Sequence, residues 1–119
     1  MKYDVIDLET MHGAIAEFCR FLETENVSQG SIFDCRLVAS ELLANVLQHA
    51  KAQAKLSGRI EDGRIYVTVY SSVAYTPPTQ TVLTDVYAER GRGLFLVDSV
   101  CEERETIDGK EITVKIRIK

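Results

Sequence analysis

Residues 40–70 read SELLANVLQHAKAQAKLSGRIEDGRIYVTVY, and within them the spacing of apolar side chains changes from helical to extended. Up to about residue 51 the apolar positions cover much of a helix circumference (Phe33, Cys35, Leu37, Val38, Leu42, Leu43, Val46, Leu47), so the spacing predicts a central helix over 32–51 that lies against a sheet. From about residue 54 the period is two. A strand over 54–61, Asp62-Gly63 as a turn, and a strand with Ile65, Val67 and Val69 on one face make a hairpin.

Working outward from that stretch, residues 2–6 (KYDVI) suit a short opening strand. Met11, Ala14, Ile15, Phe18 and Leu22 recur at helical spacing over 9–25. Asn26–Gly30 breaks this first helix, and Ser31 with Asp34 has the form of a helix start for the second. Residues 71–90 hold both prolines and no clear period, a length of connection usual for a functional lid or a mobile segment. A short helix over 91–100 follows, then a closing hairpin with Asp108-Gly109 at its turn and Ile112, Val114, Ile116 and Ile118 alternating. Hairpins with one apolar face need a cover, so the expected fold is α+β: a two-layer sandwich, mostly antiparallel sheet, covered on one face by three helices.

A chain of 119 residues is one domain's worth, so residues 1–119 are read as a single domain whose function rests on one site or interface. Eighteen acidic against fourteen basic residues give a net charge of −4, which offers no general positive field to a phosphate backbone or an anionic membrane. Direct nucleic-acid binding and membrane association are therefore not expected. The N-terminus lacks the apolar stretch of a signal peptide, and the expected compartment is the cytoplasm. Cys19, Cys35 and Cys101 are odd in number, widely spaced and flanked by apolar residues, which fits buried reduced thiols better than a disulfide framework or a zinc site.

Two short elements carry chemistry. Glu41, Asn45 and His49 recur every four residues and line one stripe of an otherwise apolar helix. Such a stripe either caps a sheet edge, faces solvent or meets a ligand. In Glu89–Val97, ERGRGLFLV, two glycines flank an arginine before an apolar run, a turn that feeds a helix N-terminus and suits phosphate, although the same pattern also serves simply to turn a chain. Neither a GxxxxGK[ST] loop nor a GxGxxG turn is present.

Taken together and in this order, ELLANVLQHA resembles the N box, and GRGLFLV the G2 box, of the histidine-kinase-like (GHKL, Bergerat-fold) ATPase superfamily. The resemblance is closest to the small bacterial anti-sigma-factor serine kinases and spans nearly the whole chain. It implies ATP and Mg as cofactors. Asn45 is implied as the magnesium ligand beside the triphosphate, and Glu41 as the catalytic base that accepts the proton of an attacking hydroxyl. Gly91, Arg92, Gly93 and Leu94 are implied as the G2 phosphate turn, while His49 is structural.

The departure is at the G1 box, where the family has DxGxG or DxGxPF. Aligning Tyr75 and Pro77 with that element puts Ser71 at the aspartate that binds the adenine amino group and Val73 at the glycine that admits the ring. Losing a charged acceptor worth roughly 1.5–3 kcal/mol weakens nucleotide binding by about one to two decades.

The resemblance thus implies an ATP-binding protein serine/threonine kinase that binds a sigma factor and acts on a small antagonist protein, with homodimers common among such relatives. The alternative is a degenerate binding module that keeps the scaffold with weak or no ATP affinity. ATP hydrolysis within a sensor kinase is disfavoured, since no phospho-acceptor helix precedes the domain and the histidines are His12 and His49.

Overall fold

The Asp62-Gly63 turn closes the hairpin as expected, because both residues take positive φ, 52° and 73°, the pair of conformations that matches the right-handed twist of the flanking strands. The chain is described by a computed structural model over residues 1–73, 103–107 and 110–118. Its elements are β1 (Lys2–Val5), α1 (Leu8–Thr24), α2 (Gln29–Asn45), a π-helical turn (Val46–Ala50), β2 (Ala54–Glu61), β3 (Arg64–Ser71), β4 (Glu103–Ile107) and β5 (Glu111–Arg117). The expected connection beyond residue 73, the helix at 91–100 and the Asp108-Gly109 turn lie outside the described residues.

The five strands form one antiparallel sheet in the order β1-β2-β3-β5-β4. Alternation sorts its faces. Val5, Leu56, Ile65, Val67, Val69 and Val114 are buried on one side, where α2 packs against β2, β3 and β5 and α1 packs against β1 and α2. The other face is polar: Thr68 and Thr113 hydrogen-bond at 3.0 Å, and the Arg59 guanidinium lies 4.3 Å from the centre of the Tyr66 ring. The fold is α+β with two described helices on one face of an antiparallel sheet, as the change of period predicts. None of the described helices is long and apolar enough to cross a membrane.

One position in β2 is restricted by packing rather than by conformation. A Cβ on Gly58 would lie 2.5 Å from Cε1 of Phe18, which is fully buried, so only glycine lets α1 approach the sheet this closely.

Helix starts differ from the sequence reading. Asp7 caps α1 reciprocally with Thr10: Thr10 N–H donates to Asp7 Oδ1 at 2.8 Å, and Asp7 N–H donates to Thr10 Oγ1 at 3.0 Å. The second helix starts at Gln29, not at 32, because Ser28 rather than Ser31 is its cap, accepting from Ser31 N–H at 3.3 Å. Ser31 sits inside the first turn, where its own hydroxyl accepts from Ser28 Oγ at 3.1 Å. The α-helical part also ends early, at Asn45. Residues Val46–Ala50 form the wider π-turn, and Lys51 stops it in a left-handed conformation, φ 49° and ψ 45°.

The described cysteines match the expectation. Cys19 and Cys35 are buried free thiols, and burial, with Asp34 adding to it, pushes Cys35 up to about 12.

Candidate functional site

Asn45 closes α2 at the boundary with the π-turn, and single π-turns inserted into helices recur at functional sites. Its side chain is 5% exposed, and its Nδ2 is buried with no hydrogen-bond partner among the described residues. A buried amide left unpaired costs about 1–3 kcal/mol, so a fold keeps one where something else binds it. A half-turn about the terminal side-chain torsion presents Oδ1 from the same place, since an amide carries a donor and an acceptor at nearly equivalent ends. Glu41, one helical turn earlier, is half-buried on the same helix. The four-residue period that joins Glu41 to Asn45 does not continue to residue 49, because the backbone enters the π-turn at Val46.

The arrangement fits a hard divalent cation held jointly with a polyphosphate. Asn45 supplies one oxygen donor from a fixed, buried position, and among the described residues no three His, Cys, Asp or Glu side chains gather into a protein-only metal site. Magnesium normally takes one or two protein oxygens, with phosphates and water completing its shell. These residues would hold the cation against phosphate oxygens.

The end of β3 tells a different story. Ser71 lies on the core face opposite Ala54 and is 7% exposed. Its backbone N–H donates to the Lys110 carbonyl, its hydroxyl donates to the Val73 carbonyl at 2.6 Å, and the same oxygen accepts from Val73 N–H at 3.3 Å. The hydroxyl is therefore consumed by a local turn rather than turned towards a ligand. Ser72 continues the ladder, its N–H donating to the Gln53 carbonyl at 2.9 Å while its hydroxyl accepts from Gln53 N–H at 3.1 Å. Serine hydroxyls and strand pairing thus fix the segment around Ser71 and Ser72.

A cavity of about 630 Å³ opens beside this turn, lined by Ile6, Leu8, Leu47, Lys51, Ser72 and Val73 among others. Val73 is 46% exposed in its wall. A second, of about 400 Å³, lies against Asp4, Lys55, Tyr70 and Ser71. Burial first, and then the neighbouring Glu111 carboxylate, raises Tyr70 above the usual phenol range. The π-turn and the segment after β3 therefore line one cavity, through Leu47, Gln48 and Val73, and neither cavity is lined by Glu41 or Asn45. Gly91, Arg92, Gly93 and Leu94 lie outside the described residues, and so does any wall they would give to a cavity at Asn45. The sequence reading missed the π-turn and the contribution of Leu47, Gln48 and Lys51 to a cavity, because no residue pattern distinguishes a π-turn from the continuing helix.

Comparison with known proteins bears on the whole chain. The family model described as the histidine kinase-like ATPase domain matches residues 5–118. No curated protein matches the chain.

Proposed function

The chain belongs to the histidine kinase-like ATPase domain family, and on that premise we propose that it is an anti-sigma-factor-like regulatory protein that binds Mg-ATP and transfers phosphate to a serine or threonine of a small antagonist protein. The observation that carries this reading is the buried Asn45 amide, whose Nδ2 has no partner among the described residues. The resemblance of its helix to the N box aligns it with the family's metal ligand, and an amide with no partner among the described residues supports its use by a polyphosphate-bound cation.

In the proposed reaction magnesium supplies charge neutralisation at the phosphates when bound. Asn45 holds that end of the nucleotide. Glu41 accepts the proton of the attacking hydroxyl, so that the carboxylate becomes the acid as the hydroxyl oxygen forms its bond to the γ-phosphorus and the bond to the leaving oxygen of ADP breaks. The sigma factor is the regulated partner, and the cytoplasm is the compartment this reading requires.

A second reading has its own support. The Ser71 hydroxyl is engaged with Val73 and offers no carboxylate where the resemblance aligns the family's aspartate, and this favours a module that regulates by protein binding with little nucleotide affinity. Incubating the protein with γ-labelled ATP, magnesium and an extract of its own source cells separates the two. The kinase reading expects a labelled phosphoserine or phosphothreonine protein, lost with Glu41→Gln and with Asn45→Ala. Absence of any labelled protein, together with no change of melting temperature in Mg-ATP, would leave the binding module.

A further inference from the structure

The polar face of the sheet gathers positive charge at one end. β2, β3 and β5 are in register so that Tyr66 stands between Arg59 and Lys115. Two residues nearer the Asp62-Gly63 turn, Arg64 stands between Glu61 and Arg117. These positions alternate with the buried Ile65, Val67, Val114 and Ile116, so their side chains leave the sheet on the side away from the helices. Neighbouring strands lie about 4.8 Å apart and same-face residues about 7 Å apart along a strand, so the four cations rise from a patch of about 7 by 10 Å.

Their arrangement is costly without an anion. Arg64 and Arg117 form a like-charge pair directly across two strands, which weakens a sheet. Arg64 is held there by donating to the Asp62 carbonyl at 3.2 Å. The Arg59 guanidinium and the Lys115 ammonium lie 4.3 and 5.7 Å from the centre of the Tyr66 ring, which orients both. Nearby acids fall short of balancing them. Arg59 donates to Glu61 at 2.7 Å, and β4 sets Glu103 in register with Lys115, so two acidic residues meet four basic ones in a chain that carries 18 acids to 14 bases.

We propose that this patch docks an acidic segment of a protein partner, whose Asp or Glu side chains reach Arg64 with Arg117 and Arg59 with Lys115. Same-face side chains of an extended segment repeat at about 7 Å, the separation of the two rows of cations. A guanidinium takes a carboxylate through two parallel hydrogen bonds, so each row can hold one carboxylate. A single-stranded nucleic acid fits less well. Its bases need an open aromatic face, whereas Tyr66 is engaged by two cations. Its backbone needs a continuous positive track, whereas this patch ends along the same face at Glu105 and Glu111, in register with Thr113 and Tyr70.

The test is fluorescence anisotropy of a short fluorescein-labelled peptide alternating glutamate with serine, beside its glutamine counterpart, titrated with the full chain. Nucleotide is left out, so that the outcome is separate from the kinase reading. The glutamate peptide should bind with a dissociation constant on the order of 100 μM at 0.1 M salt and several-fold more weakly at 0.3 M, and the glutamine peptide should not bind. Arg64→Glu with Arg117→Glu should weaken binding on the order of tenfold or more. Arg64→Gln with Arg117→Gln should weaken it about threefold, a milder change that keeps the test valid if the reversal disturbs folding, which far-UV circular dichroism reports. Arg20→Glu with Arg36→Glu makes the same change of net charge on exposed positions of α1 and α2, and should leave binding within about twofold. No binding of the glutamate peptide, equal binding of the glutamine peptide, insensitivity to both Arg64 and Arg117 variants, equal loss in the helix variant, or displacement by a short oligothymidylate that binds more tightly would each overturn the proposal.

Discussion

Replacing Asn45 by leucine should stabilise the protein while abolishing its ligand binding. The side chain is 5% exposed and its Nδ2 has no partner among the described residues, so the native fold bears a desolvation penalty of about 1–3 kcal/mol that an apolar side chain of similar length removes. Leucine also prefers a helix to asparagine by a few tenths of a kcal/mol. Its extra bulk costs up to about 1 kcal/mol if the neighbours must move. The net expectation is a gain of about 1–2 kcal/mol, or a melting temperature roughly 3–10 °C higher for a domain of this size. Urea titration followed by circular dichroism gives the sign directly, as a higher midpoint at unchanged slope. A loss of 2 kcal/mol or more would refute the reasoning, because it would mean that the amide serves the fold through hydrogen bonds and is not held for a ligand.

Other outcomes follow from the same geometry. Gly58→Ala should lower stability by about 1–3 kcal/mol, seen as a reduced urea midpoint, because the new methyl collides with the buried Phe18 ring. Ser28→Ala should cost about 1 kcal/mol by uncapping α2, whereas Ser31→Ala, if its side chain were the cap as the sequence pattern suggests, would cost as much by the same route; the urea midpoints rank the two. Asp7 is held below the usual carboxylate range by hydrogen bonds from the Thr10 backbone and hydroxyl, so its stabilising effect is present above about pH 4 and lost as pH falls through its folded value; the Asp7→Asn protein should show a flatter stability profile in that window. In a Cys101→Ser background Cys19 and Cys35 should resist a thiol reagent until the chain unfolds, as followed by absorbance with and without urea.

What the sequence shows and what it hides divide along physical lines. The Asp62-Gly63 hairpin and the alternation of β3 and β5 are legible because a two-residue turn needs positive φ and a half-buried strand needs a period of two; both requirements act on the residues themselves. Helix starts are less legible. Ser28 and Ser31 are the same residue three positions apart, and the choice between them depends on where the preceding chain leaves α1. Asp7 and Thr10 form a reciprocal cap with threonine where glutamate is the usual partner, so the motif does not announce itself. The π-turn after Asn45 has no sequence signature and alters the stripe that Glu41, Asn45 and His49 would make on a continuous α-helix. The polar pair Glu41 and Asn45 was visible as residues out of character with an apolar helix. That the Asn45 Nδ2 finds no partner among the described residues, and that the Ser71 hydroxyl is engaged by Val73, are facts of packing.

Calorimetric titration with Mg-ATP and Mg-GTP, on the unmodified chain and on Asn45→Ala, tests most directly whether a metal and phosphate site survives here beside a degraded base pocket. The account predicts weak binding of both nucleotides with affinities within about a factor of three, since a missing hydrogen bond of 1.5–3 kcal/mol removes most discrimination between bases. It also predicts that Asn45→Ala abolishes both heats, and that Ser71→Asp with Val73→Gly strengthens ATP binding by about one to two decades while leaving GTP unchanged. Tight binding of ATP with strong preference over GTP in the unmodified chain, or ATP binding that Asn45→Ala leaves intact, would contradict it.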